Sequence, residues 1–92
     1  MIEGKTSTGF EFQVDEASLN DMEFLEILVD VTGGSKAMFP AFLMRFFGAE
    51  QKKRLYDHCR NKEGRVPIDA VEEEVANVLE AIKNGGNNEV KN

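Results

Sequence analysis

The densest group of reactive side-chain types in the chain is Asp57-His58-Cys59, the set from which a nucleophile, its base and an orienting acid are drawn. Neighbours on a helix point about 100° apart, so these three diverge and cannot hydrogen-bond into a working dyad. His58 is expected at the surface beside Arg54 and Lys62, and Cys59 as a small buried hydrophobe. The helix, Gly64 loop and following helix have the order of an EF-hand. Placing Gly64 at the invariant glycine of such a loop puts Cys59 at its first position and Ala70 at its last, where calcium requires Asp and Glu. Glu72, Glu73 and Glu74 are consecutive and splay around a helix, which favours solvation over coordination. Cys59 and His58 alone cannot assemble a zinc site, and no glycine loop of the phosphate-binding kind is present. The expectation is a protein without catalytic residues, metal or cofactor.

Recognition by apolar contact is the chemistry that remains. Residues 37–47 read Ala-Met-Phe-Pro-Ala-Phe-Leu-Met-Arg-Phe-Phe, with 9 of 11 positions apolar. A helix resting on a small core needs an apolar stripe about 100° wide or somewhat more, and this segment is apolar nearly all round. It must be wrapped by the other elements or be open to a partner. In one reading Met38, Phe39, Phe42, Met44, Phe46 and Phe47 all close the core. In the other, one edge formed by Met38, Phe42 and Phe46 stays accessible for helix-in-groove binding or self-association, because Met and Phe supply adaptable contact area.

Composition narrows the partners. A chain of 92 residues makes one domain that buries only about 60–65 % of its unfolded surface. A net charge of −6 argues against nucleic acid, whose phosphates require an excess of Lys and Arg. The charges are unevenly placed. Between Glu11 and Asp30 there are seven acids and no base, whereas 6 of the 11 basic residues lie between 50 and 65 against three acids. These patches are either solvated faces or complementary surfaces that bring copies together head to tail. A single cysteine allows no intramolecular disulfide and fits a reducing cytoplasm. The segment after Met1 lacks the basic and apolar regions of an export signal, and the 37–47 run is far short of the roughly 20 residues of a membrane span.

The elements that must position these residues follow from local pattern. Phe10-Glu11-Phe12-Gln13-Val14 alternates strictly and predicts a half-buried strand, with Ile2 to Lys5 as its hairpin partner across Thr6-Ser7-Thr8-Gly9. A lone hairpin is marginal in water, so Phe10, Phe12 and Val14 must rest on helices. A helix is expected over 16–32, with Asp15 capping an early turn, Asn20 and Glu23 as cap and box, and Gly33-Gly34 as its stop. Its inward stripe is expected to be Met22, Leu25, Leu28 and Val29, widened by Phe24, Ile27 and Val31. Further helices are expected over 35–47, with Ser35 as cap or a regular start near Pro40, and over 49–61, with Leu55, Tyr56 and Cys59 inward and a Glu50–Arg54 pair. A last helix over 67–84 repeats Ile68, Val71, Val75, Val78 and Ile82 at heptad spacing, with Leu79 alongside, which suits a bundle helix or a coiled-coil dimer. The fold class is thus α+β and mostly α, an N-terminal β-hairpin packed on about four helices in a single domain over 1–84, with a disordered polar tail at 85–92.

Four runs in this order carry a resemblance: Phe10-Glu11-Phe12-Gln13-Val14-Asp15-Glu16, then Asn20-Asp21-Met22-Glu23-Phe24-Leu25-Glu26-Ile27-Leu28, then Phe46-Phe47-Gly48-Ala49-Glu50-Gln51-Lys52-Lys53, then Arg65-Val66-Pro67-Ile68-Asp69-Ala70-Val71. From about Gly9 to Lys83 the chain resembles small tail assembly chaperones encoded by siphophages and prophages of Gram-positive bacteria. The resemblance implies a non-enzymatic protein of the infected host's cytoplasm. It would bind the tape measure protein, recruit major tail protein, and be absent from the mature virion.

Two other roles suit the same residues. An acidic adaptor could occupy a basic host surface through Glu11 to Asp30, with binding that weakens steeply as salt rises. A structural tail subunit is the third, although a lasting ring subunit usually offers longer strands than this hairpin. The heptad seam and the charge asymmetry also allow a homo-oligomer without requiring one.

Overall fold

The alternation at Phe10 to Val14 makes the strand it predicts. In the computed structural model of the protein, which describes residues 1–84, strands β1 (Ile2–Lys5) and β2 (Glu11–Val14) pair antiparallel, Ile2 with Val14 and Lys5 with Glu11. Phe10 lies just ahead of β2, in a turn closed by Thr6 N–H donating to Phe10 O and Gly9 N–H to Thr6 O. Phe10, Phe12 and Val14 are buried, as a hairpin with one wet face requires.

The single helix expected over 16–32 is two pieces. The short α1 (Glu16–Leu19) is capped by Asp15, whose carboxylate accepts from Ala17 N–H at 3.0 Å. Asn20 ends α1 instead of starting the next helix. The cap of α2 (Met22–Thr32) is Asp21, extended at φ −144° and accepting from Glu23 N–H at 3.2 Å. Both side chains can cap, but aspartate also brings a full negative charge to the positive end of the helix.

The inward face of α2 also differs from expectation. Phe24 is buried and Ile27, Leu28 and Val31 pack partly against the core, whereas Met22, Leu25 and Val29 are exposed. Apolar residues cover so much of this helix that two stripes were possible. The rings of α3 (Phe39–Cys59) select the one containing Phe24, which stacks on Phe42 and Phe46.

Helix α3 joins the two helices expected over 35–47 and 49–61. Its regular part begins at Phe39 with Pro40 in the first turn, where a missing N–H costs nothing. Ser35 lies outside it, accepting from Met38 N–H at 3.3 Å. Gly48 (φ +84°, ψ 166°) is not helical and kinks the element, so the break occurs where glycine predicts it. The second limb ends at Cys59 and turns Leu55 fully inward, with Tyr56 and Cys59 half-buried.

Helix α4 (Ile68–Lys83) uses its heptad seam inside the fold. Val71, Val75 and Val78 are buried, while Ile68 and Leu79 remain exposed. The described residues therefore form an α+β, mostly α fold: a hairpin on four helices around one apolar cluster, with β1 against α4 and β2 against α3. The tail expected at 85–92 lies outside the described residues.

Helix α3 also closes the outer edge of β2. The Gln51 amide accepts from Gln13 N–H and donates to Gln13 O, both at 2.7 Å, and Arg54 donates to Glu11 O at 3.1 Å. Side chains thus take the place of a third strand on an edge that would otherwise invite pairing. Arg54 also stands over the Phe10 ring at 5.4 Å, so the Glu50–Arg54 pair suggested by spacing is not made.

Candidate functional site

Phe42, Phe46 and Phe47 fill the core, and Phe39 is half-buried against it. Phe42 is 2 % exposed and Phe46 5 %, and only Met38 of the three expected contact residues reaches solvent, half-buried at the start of α3. The physical reason is ring packing. Phe39, Phe42 and Phe46 recur at helical spacing and stack successively, Phe47 meets Phe46 edge-on at 4.8 Å, and Phe10 meets Phe47. Such pairs add about 0.5–1.5 kcal/mol each beyond area burial, which favours a closed aromatic stack over exposed rings. The accessible edge formed by Phe42 and Phe46 is therefore corrected.

Apolar surface does remain, and it is aliphatic. Met22, Leu25 and Val29 form an outward stripe on α2, Met44 lies on α3, and Ile68 and Leu79 lie on α4. Helices α2 and α4 flank the first limb of α3 and leave a groove of about 280 Å³ between them. Its walls are Leu28 and Val31 on one side and Ala76 and Leu79 on the other, with Phe42 and Val75 beneath. One end is tied by Lys36 Nζ on Glu72 at 2.7 Å. A second concavity of about 260 Å³ lies between α3 and α4, bordered by Phe39, Pro40, Tyr56, Val66 and Ile68. Burying an aliphatic side chain in such a groove is worth about 1.5–3 kcal/mol, so a few anchors suffice for a partner helix.

The titratable residues of α3 and α4 have the following surroundings. Glu74, expected in solvent, is 4 % exposed. Its carboxylate accepts from the Thr6 hydroxyl at 2.6 Å, from the Thr8 hydroxyl at 2.9 Å and from Asn77 Nδ2 at 3.3 Å. Thr8 Oγ1 also stands 2.9 Å from His58 Nε2. The Thr8 hydroxyl donates to Glu74, and a His58 tautomer with hydrogen on Nε2 would complete the array by donating to Thr8. The array ties the hairpin turn to α3 and α4. His58 stays at the surface as expected, with its ring 5.4 Å from that of Phe10.

A sequence signal for Glu74 existed. It falls three residues after Val71 and four before Val78, on the buried stripe of α4, where an acid must find donors.

Cys59 is half-buried, and its Sγ donates to Ala70 O at 3.7 Å. Burial, and secondarily the Glu74 charge, push its pKa up, away from a reactive thiolate. Asp57 faces outward to Arg60, which donates to it at 3.0 Å and, with the Lys53 charge next, holds its carboxyl below the usual range. The three neighbours thus point to three different surroundings. Among the described residues there is no group of three or more His, Cys, Asp or Glu that could hold a metal, and no helix is long and apolar enough to cross a membrane. No protein-family model, curated protein or solved structure matches the chain.

Proposed function

We propose that this chain is a non-enzymatic tail assembly chaperone that binds the tape measure protein and recruits major tail protein in the host bacterial cytoplasm. The observation that carries the reading is the apolar groove between α2 and α4, together with the order of motifs that resembles such proteins. A tape measure protein is long, largely helical and aggregation-prone, so its helper must cover apolar helix faces reversibly. The groove suits such a face: apolar residues from α2 and α4 line it, Phe39 and Phe42 lie in it, and Lys36 and Glu72 are the charged residues of its lining. Its anchors are Leu28, Val31 and Leu79 in place of Met38, Phe42 and Phe46. Phe42 serves from beneath by holding the walls apart.

The test is co-expression of the chain with tape measure fragments. Leu79 is 43 % exposed, so Leu79→Glu should leave the fold intact while removing one wall anchor and adding a charge to be desolvated. The expected result is an unchanged melting temperature and at least a tenfold weaker capture of fragments at moderate salt, consistent with losing roughly 1.5–3 kcal/mol of burial. Equal capture by the variant, or none by the unaltered chain, would overturn the reading.

A further inference from the structure

The face of α4 that forms one wall of the α2/α4 groove continues beyond it. Ile68, Glu72, Val75 and Leu79 recur at intervals of 4, 3 and 4 residues and therefore share one side of the helix. Val75 and Leu79 line the α2/α4 groove, whereas Ile68 lines the concavity between α3 and α4. Both hollows also have Lys36 and Phe39 in their linings. They are thus adjoining parts of one apolar trough that follows α4, with the half-buried Phe39 at the junction.

Glu72 interrupts that face where the two parts meet. From the loop after α2, Lys36 reaches it with Nζ 2.7 Å from the carboxylate, so the ion pair crosses the trough from one wall to the other. The pair is also easily opened. Its side chains are 68 % and 42 % exposed, and ion pairs this wet are held weakly and screened by salt. Once apart, both charged ends stay in water, so opening leaves no charge buried.

What the pair controls is length. The face covers about two helical turns from Glu72 to Leu79 and about three from Ile68 to Leu79. We infer that Lys36 and Glu72 form a strap across the trough, which limits the seat to two turns of a partner helix when closed and admits a third turn when open. The occupant is a single amphipathic helix, because the second hollow prolongs the first along α4 and Lys36 is the one charged residue in the second hollow's lining among the described residues. The inference rests on the helix-binding reading of the α2/α4 groove and adds the regulation of that site.

The experiment is fluorescence anisotropy with the full chain and two synthetic stapled helices, whose leucine stripes run for two and three turns and whose outward residues are all Gln. Being uncharged, these probes are not themselves drawn to Lys36 or Glu72. At low salt Lys36→Ala and Glu72→Gln should each bind the three-turn helix about three- to fivefold more tightly than the unaltered chain does, with the two-turn helix unaffected. The advantage should fade at about 0.5 M salt, where screening opens the strap of the unaltered chain as well. Exchanging the charges, Lys36→Glu with Glu72→Lys, should restore the parent's affinities. Both positions are exposed, and circular dichroism checks that each variant folds. Equal binding of the three-turn helix by variants and parent, an equal gain for both helices, or an exchanged pair that behaves like the single variants would each overturn the inference. A two-turn helix that the unaltered chain fails to bind, or that Leu79→Glu binds equally well, would overturn the helix-binding reading itself and the inference with it.

Discussion

Glu74 joins the hairpin to the helices through hydrogen bonds to a buried acid. Its carboxylate is accounted for by two threonine hydroxyls and an amide, which offset the loss of water on burial. Alanine there would leave the buried Thr6 hydroxyl without its carboxylate acceptor, whereas the exposed Thr8 hydroxyl can turn to water. Glu74→Ala is expected to cost about 2–3 kcal/mol, a fall of roughly 10–20 °C in melting temperature for a domain of this size. Glu74→Gln, which keeps one acceptor oxygen, should lose less. A thermal melt of the three proteins checks the order, and an alanine variant as stable as the parent would show that the network contributes nothing. In the sequence a run of three acids reads as solvated surface, and only the place of Glu74 on the Val71, Val75, Val78 stripe argues otherwise.

The decisive element is α3, whose apolar limb and polar limb are set at an angle by Gly48. No atom lies within 4 Å of where a Cβ would stand, so the obstacle to another residue is the backbone at φ +84° alone. Gly48→Ala is expected to destabilise by about 1–3 kcal/mol, because φ +84° with ψ 166° is a conformation essentially restricted to glycine. Urea unfolding measures it, and an alanine variant of equal or greater stability would mean that the kink is not held by its surroundings. The break was legible because glycine follows two phenylalanines and precedes a polar run. The face of α2 was not. Met22, Leu25 and Val29 have the same helical spacing as the residues that turn inward, and only the rings of α3 distinguish the two stripes.

The molecule as a whole has one apolar cluster to which the hairpin and helices α2, α3 and α4 all contribute, so it should unfold in one step. Cys59 reports on this. With its thiol half-buried, bonded to Ala70 O and raised in pKa, it should react with iodoacetamide more slowly than a free cysteine at pH 8. Reactivity should rise with pH, and across a urea series it should appear together with the loss of helical circular dichroism. Early thiol exposure would reveal a second limb of α3 that opens by itself. The same closed cluster shifts the candidate surface from aromatic to aliphatic residues, since a chain of this size uses nearly every ring to make a core.

What could be known from the residues in order was whatever depends on neighbours along the chain: the alternating strand, the Asp15 cap, the proline start, the glycine breaks and the heptad of α4. These follow from sterics and hydrogen bonds within a few positions, and they suffice for an α+β fold built mostly of helices. Which of two apolar stripes faces inward, whether Phe42 and Phe46 meet solvent, and that Glu74 is buried with Thr6 and Thr8 were decided by tertiary packing. Burial depends on what lies across the core, and residues 6 and 74 acquire a common environment only when the hairpin closes onto α4.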